Sequence, residues 1–262
     1  MNVIVCIKQV PETTDVKINP ETNTLYREGI PSIINPFDMY AIEEAIRIKE
    51  KCGGKVTVIT MGPPQAEACL KEAVSLGADE AVLLTDKEFA GSDTWATSYA
   101  LSMAIKKIKD YDIIICGKQA VDGDTAQVGP GIATWLDIPQ ITYVKKIDEL
   151  KEGYIKAEQL AEEGYVVVES SLPMMLTVVK EINIPRLPSL KGKMKAKNVQ
   201  VTKWTAQDLG ADAKNLGLDG SPTMVKKIFS PPPKTGGKKL EGDAQQMVND
   251  LMNDLVEKQI FV

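Results

Sequence analysis

The apolar run Ile113–Cys116 ends abruptly in polar groups: Gly117, Lys118, Gln119, Asp122, Asp124, Thr125 and Gln127, with Gly123, Gly129, Pro130 and Gly131 among them. Amide, hydroxyl, ammonium and backbone N–H groups gathered at the end of a buried strand suit the binding of an anionic, hydroxyl-rich ligand. They do not suit covalent catalysis. The chain has no histidine, which removes the commonest general base and zinc ligand. Cys6, Cys52, Cys69 and Cys116 form no CxxC pair, and Cys6 and Cys116 sit in strand-like runs as buried, inert thiols. Iron–sulfur clusters, structural zinc and hydrolytic triads are therefore not expected, and any redox chemistry must come from a bound cofactor.

The elements that position these groups follow from hydrophobic spacing. Residues 2–10 read as a central strand, and 24–36 as an apolar stretch between turns. Met39, Ile42, Ala45, Ile46 and Lys49 repeat at helical spacing over 36–54, closed by Gly53-Gly54. Strand 55–62, helix 64–78, strand 80–86, helix 92–110 and strand 111–117 follow, with Ser92 or Asp93 as a cap. The alternation predicts an α/β fold, a parallel sheet with helices on both faces. From Ile141 to Ile182 the pattern reads as strands joined by turns, an antiparallel extension. Residues 183–204, with two prolines and many lysines, read as an exposed loop. The expected organisation is a 1–229 domain, a 230–242 Pro/Gly linker and a 243–262 helical arm. The stripe Met247, Leu251, Met252 and Leu255 needs a surface, either the chain's own domain or a partner.

In such a sheet, ligands bind beyond the carboxyl ends of strands where the winding reverses. The first and fourth strands are the expected pair, with Lys8 and Gln9 on one and Gly117–Gln127 on the other. A helix beginning near Asp124–Thr125 would aim N–H groups at a phosphate, and Gly123, Gly129 and Gly131 would let a ligand approach. Pro130 would then fall in the second turn, so a kinked or delayed start is expected. The alternative is a loop capped by its own aspartates, with Gln127 completing a capping box with Asp124. Neither a GxxxxGK[ST] loop nor a strand-following GxGxxG occurs.

Bulk properties agree with a globular protein. The 262 residues are 44% hydrophobic and carry a net charge of −5. That charge argues against general nucleic-acid binding. No apolar run nears the ~20 residues that span a bilayer, and the apolar N-terminus lacks a signal-peptide pattern. A cytoplasmic protein without membrane contact is expected.

The chain resembles the beta subunit of electron transfer flavoproteins over nearly its whole length. The matching stretches are VCIKQV at 5–10, NPFDMYAIEEAIRIKE at 35–50, Gly62-Pro63, GKQAVD at 117–122, and the PRxxxLxxxMKAK segment from Pro185 to Lys197. The resemblance implies a redox carrier, a heterodimer with an alpha subunit, and a C-terminal arm that packs on that partner. Ordinary members hold AMP in the beta site, and electron-bifurcating members hold a second FAD there. The loop VDGDTAQVGP, 121–130, resembles the bifurcating form. That form takes hydride from NADH, in complex with the alpha subunit. It passes one electron to ferredoxin or flavodoxin and the other, through the alpha-subunit FAD, to an acyl-CoA dehydrogenase such as butyryl-CoA dehydrogenase.

The resemblance also implies residue roles. Cys6 and Lys8 line the crevice, and Asn35, Pro36, Phe37 and Asp38 meet the adenosine end, with core packing the other reading of Phe37. Met61 and Gly62 approach from the second strand. Gly117, Asp122, Gly123, Asp124, Thr125, Ala126, Gln127, Val128 and Gly129 wrap phosphates and ribose. Thr134 is either a ligand contact or helix surface. Because a carboxylate beside a pyrophosphate is repulsive, Asp122 or Asp124 should turn to a hydroxyl, a cap or the incoming NADH. Leu190 corresponds to the exposed leucine of the family's recognition loop, with Lys191, Lys193, Lys195 and Lys197 as a charged rim; the alternative is a solvated lysine-rich loop.

Overall fold

The computed structural model describes residues 1–12, 18–19, 24–25, 31–227 and 236–260. Its first compact unit, Met1–Lys226, opens with β1 (Val3–Cys6), β2 (Gln9–Pro11), β3 (Ile18–Asn19), β4 (Thr24–Leu25) and β5 (Ser32–Ile34). The first apolar run is thus split at Ile7–Lys8. Only β1 enters the main sheet, while β2 turns away and pairs antiparallel with β5. Helix α1 (Pro36–Cys52) has proline in its first turn, where no intrahelical N–H is lost. Then come β6 (Val56–Met61), α2 (Glu67–Leu76), β7 (Glu80–Leu84), α3 (Thr94–Ile108), β8 (Ile113–Gly117) and α4 (Val128–Leu136). Asp93 caps α3 by accepting from the N–H groups of Trp95 and Ala96.

The second half adds β9 (Gln140–Lys151), β10 (Tyr154–Ala161), β11 (Gly164–Ser171), β12 (Met174–Val178), α5 (Leu190–Asn198), β13 (Thr202–Trp204) and α6 (Ala206–Leu209). One nine-stranded sheet results, in the order β11-β10-β9-β12-β8-β1-β6-β7-β13. From β9 across to β13 neighbouring strands are parallel, and only β9-β10-β11 are antiparallel.

Two expectations change here. The run after Pro173 is not part of the antiparallel extension. It is β12, parallel to both β8 and β9 and buried at every position, as a doubly covered strand must be. Residues 183–204 are not all loop, because they contain α5 and β13. Ser189 caps α5 by accepting from Gly192 N–H, and Ala196 is the helix's one buried residue. Its docking on α2 rests on Gly192, where a Cβ would stand 2.0 Å from the Ser75 carbonyl oxygen.

The strands alternate between two cores. Val3, Val5, Val58, Ile115 and Leu176 meet Ile42, Ile46 and Leu70 of α1 and α2. Ile4, Ile59, Ile114 and Met175 meet Ala100, Ala104, Ile105 and Ile132 of α3 and α4. The second unit, Lys227–Val262, contains α7 (Ala244–Glu257), capped by Asp243, with a Lys238–Asp254 ion pair. Val248, Leu251, Met252 and Val256 are exposed on it. Residues 230–235 of the expected linker lie outside the described residues; 236–242 have no regular structure. Among the described residues no helix is long and apolar enough to cross a membrane.

Gly129 and Gly131 are required by packing as well. A Cβ on Gly129 would stand 2.8 Å from Thr177 Cγ2 of β12, and one on Gly131 2.4 Å from Ser98 Oγ of α3. A Cβ on Gly123 meets nothing within 4 Å. Gly129→Ala should therefore cost about 1–3 kcal/mol of stability, read from the urea midpoint. Gly123→Ala should stay within about 0.5 kcal/mol. Equal losses at both positions would contradict this assignment.

Candidate functional site

The winding reverses at β1, which lies between β6 and β8. The crevice beyond the carboxyl ends of β1 and β8 is thus where the sheet geometry places a ligand. Asn35 and Asp38 build its floor. The Asn35 N–H donates to the Lys8 carbonyl (2.8 Å), and its Nδ2 donates to the Gln119 carbonyl (2.8 Å) and Asp38 Oδ1 (3.0 Å). Its Oδ1 accepts from Val121 N–H (3.0 Å). Asp38 Oδ2 accepts from Lys8 N–H at 2.7 Å, and the Gly117 N–H also donates to this carboxylate. One buried amide and one buried carboxylate thus tie the end of β1, the start of α1 and the loop after β8 together. Gly117 is required, because its Cβ would stand 2.4 Å from Asp38 Oδ1.

Burial pushes the Asp38 carboxyl up to about 7, against the lowering effect of Asn35 and the Lys8 and Gly117 amides. Cys6 and Cys116 are register partners on β1 and β8. The hydrogen bond to the Cys116 thiol, and then burial, push the Cys6 thiol well above its usual value. A thiol so raised is a wall of the crevice and a poor nucleophile.

Above this floor the loop is a series of turns. Ala120 O accepts from both Gly123 and Asp124 N–H. Asp124 and Ala126 take left-handed backbone angles, φ 54° and 56°. Neither is glycine, so the conformation costs of order 1 kcal/mol or more at each residue. Alternating backbone hands of this kind turn N–H groups toward one concavity. The helix does not begin at Asp124. It begins at Val128, so Pro130 falls in the first turn, where its missing N–H breaks no helix bond. Gln127 occupies the cap position without a side-chain cap bond, and no Asp124–Gln127 capping box forms. The first-turn N–H groups of α4 thus have no side-chain acceptor.

Both aspartates have partners. Lys8 Nζ lies 2.6 Å from Asp122 Oδ1, and Gln119 Nε2 donates to Asp124 Oδ1. Lys8 is exposed, and such a pair is worth only ~0–1 kcal/mol. Phe37 belongs to neither core cluster, while Met61 packs against the second. Gly62 N–H donates to the Leu84 carbonyl. Pro36 and Thr125 are exposed, Ala126 and Val128 are half-buried, and the Thr134 hydroxyl donates to the Pro130 carbonyl on the helix surface. Asn35, Asp38, Gly117, Lys8 and Asp122 are therefore in direct contact. The Gln119 side chain and the Val121 N–H were missed, since nothing local in the sequence marks them as the loop's anchors.

The residues that fit a cofactor here are donors suited to phosphate and an open, uncapped helix start. Residues 22–209 match the electron transfer flavoprotein domain family. The chain belongs to the electron transfer flavoprotein family. Among its relatives, the beta subunit of Thermoanaerobacterium thermosaccharolyticum is 53% identical over 262 residues, with both chains covered in full. The beta subunit of Megasphaera elsdenii is 47% identical, also over the full length of both. The caffeyl-CoA reductase-Etf complex subunit CarD of Acetobacterium woodii is 48% identical over the full length of both. The role of an electron transfer flavoprotein beta subunit follows.

Leu190 of this flavoprotein subunit is fully presented at the start of α5, beside exposed Lys191 and Lys193. Lys195 is not part of a free rim. Its Nζ donates to the Ala78 carbonyl (2.9 Å) and Asp79 (3.3 Å), beside Lys49, which reaches the Gly77 carbonyl and the same aspartate. The two lysines satisfy carbonyls at the end of α2.

Asp38 yields a pH prediction. Its folded value lies above its unfolded value, so its contribution to stability is full below the unfolded pKa and is lost as pH rises through about 7. The stability of the wild type relative to Asp38→Asn should therefore fall between about pH 4 and pH 7.5, measured by urea unfolding at each pH. A pH-independent difference would contradict the burial of an ionisable Asp38.

Proposed function

We propose that this chain is the beta subunit of an electron-bifurcating flavoprotein and that the β1/β8 crevice holds FAD. The observation that carries the reading is the uncapped start of α4 behind a loop with two left-handed residues, at the point where the sheet reverses. That combination supports a pyrophosphate-containing ligand. When bound, the flavin supplies hydride acceptance and one-electron release.

The chain's own residues do the holding. The Val128 and Gly129 N–H groups and the Thr125 and Ala126 amides would hold the phosphates, while those of Val121, Gly123 and Asp124 hold the loop itself. Lys8 would hold a phosphate oxygen in place of Asp122, since its present pair is exposed and weak. Asp122 would then be free to accept from a ribose hydroxyl or from the incoming NADH, and Gln119 keeps Asp124 turned aside. Burial raises the Asp38 carboxyl, so the floor carries less negative charge beneath an anionic ligand than an ordinary aspartate would give. No side chain acts as a covalent catalyst.

The bifurcating reading, rather than structural AMP, is supported by the VDGDTAQVGP loop. It brings NADH as donor, the alpha subunit as partner, and ferredoxin or flavodoxin as low-potential acceptor. An acyl-CoA dehydrogenase takes the other electron, and the name of the A. woodii relative supports an acyl-CoA-type acceptor. Nucleotides released from the purified heterodimer should be two FAD; one FAD and one AMP would overturn bifurcation and leave the AMP-binding form. For Leu190→Ala, the KM for the dehydrogenase should rise about 30-fold, the loss typical of a buried interface anchor. NADH reduction of the flavin should be unchanged. If both fall together, Leu190 is packing and not recognition.

A further inference from the structure

The strap that carries Leu190 has almost no apolar attachment of its own. Between Asn183 and Ser189 there is no helix or strand, and Ile184, Leu187 and Leu190 are 83%, 88% and 79% exposed. Pro185 and Pro188 stiffen it. Two polar groups hold its start to α1. Asn183 Nδ2 donates to the Tyr40 carbonyl and Glu44 Oε2, both at 3.0 Å. Arg186 does more. Its Nε donates to Glu43 Oε2 (2.8 Å), its Nη2 to Glu43 Oε1 (3.2 Å), and its own backbone N–H to Glu43 Oε2 (3.1 Å). Nη1 and Nη2 also reach Glu50 at 2.6 and 3.0 Å. The far end is held to α2 by Gly192 and Lys195. The apolar side chains therefore stand out from a span fixed at both ends.

Glu43 is only 4% exposed. Burial would raise its carboxyl, but Arg186 and Arg47 outweigh burial and hold it below the usual range. The inner half of the clamp is thus desolvated and two-pronged, the geometry in which arginine is not replaceable by lysine. The outer half, to Glu50, is solvent-screened.

We propose that Arg186 is the positioning residue for electron delivery, presenting Ile184, Leu187 and Leu190 in a fixed arrangement to the acyl-CoA dehydrogenase. This rests on the reading of Leu190 as a docking anchor. Fixing the strap before contact removes the ordering cost that docking would otherwise carry. The same helix, α1, begins at the cofactor floor with Asn35 and Asp38, so the strap is set on the element that builds the crevice.

The test uses the complete heterodimer with an acyl-CoA dehydrogenase as acceptor. In Arg186→Gln, KM for the dehydrogenase should rise at least about tenfold, with kcat at saturation and NADH-driven flavin reduction within about twofold. Arg186→Lys should recover only part of the loss. In Arg186→Gln with Leu190→Ala, the two effects should be less than additive, because both act on one docking event. If Leu190→Ala raises KM and Arg186→Gln does not, the positioning role is wrong while recognition by Leu190 stands. If neither raises KM, recognition itself is wrong. If Arg186→Gln lowers nucleotide content or flavin reduction, Arg186 is a structural support of α1 and the proposal fails. Should Arg186→Gln not fold, Arg186→Lys, which keeps the charge but loses the two-pronged contact with Glu43, should still raise KM; an unchanged KM there would overturn the proposal.

Discussion

The architecture of the site depends on the contact between Asn35 and Asp38. At this point β1 has ended, α1 has begun and the β8 loop must be held open, and all three expose backbone polar groups inside a crevice. Buried groups of that kind must find partners. Asn35 uses both ends of its amide, donating to Gln119 and Asp38 and accepting from Val121. Asp38 gathers the amides of Lys8 and Gly117. Burying the carboxylate has an electrostatic cost, visible in its raised pKa. It is offset by bringing two parallel strands and a loop into register around one concavity.

Work is divided between groups that hold the crevice and groups left free to meet a ligand. Gly117, Gly129 and Gly131 permit close packing of α1, β12 and α3 against the site elements. The Thr125 and Ala126 amides, the α4 start and Lys8 remain for a ligand. Placing Asp122 on Lys8 and Asp124 on Gln119 accounts for two carboxylates beside a site for an anion. One is held by a weak exchangeable pair and the other is turned aside.

The parallel half was legible because its strands are continuous apolar runs and its helices carry ordinary caps and periodicity. The β1/β8 switch point followed from that alternation alone. What escaped depends on contacts distant in sequence. β12 looks like one more strand of a meander, and only its pairing with β8 shows it to be central. α5 is rich in lysine with one buried residue, so its helix is held by docking on α2 more than by pattern. The delayed α4 start at Val128, by contrast, was legible, because Pro130 costs nothing only in a first turn. Lys8–Asp122 and Arg186–Glu43 join segments more than a hundred residues apart, beyond any local spacing rule.

The proposed nucleotide crevice of this subunit depends on the Asn35–Asp38 contact. Its most direct test is the nucleotide content of a heterodimer carrying Asn35→Ala, with circular dichroism to verify folding. A folded complex that has lost one nucleotide and kept the other is the expected result. A folded complex with its full nucleotide complement would contradict it.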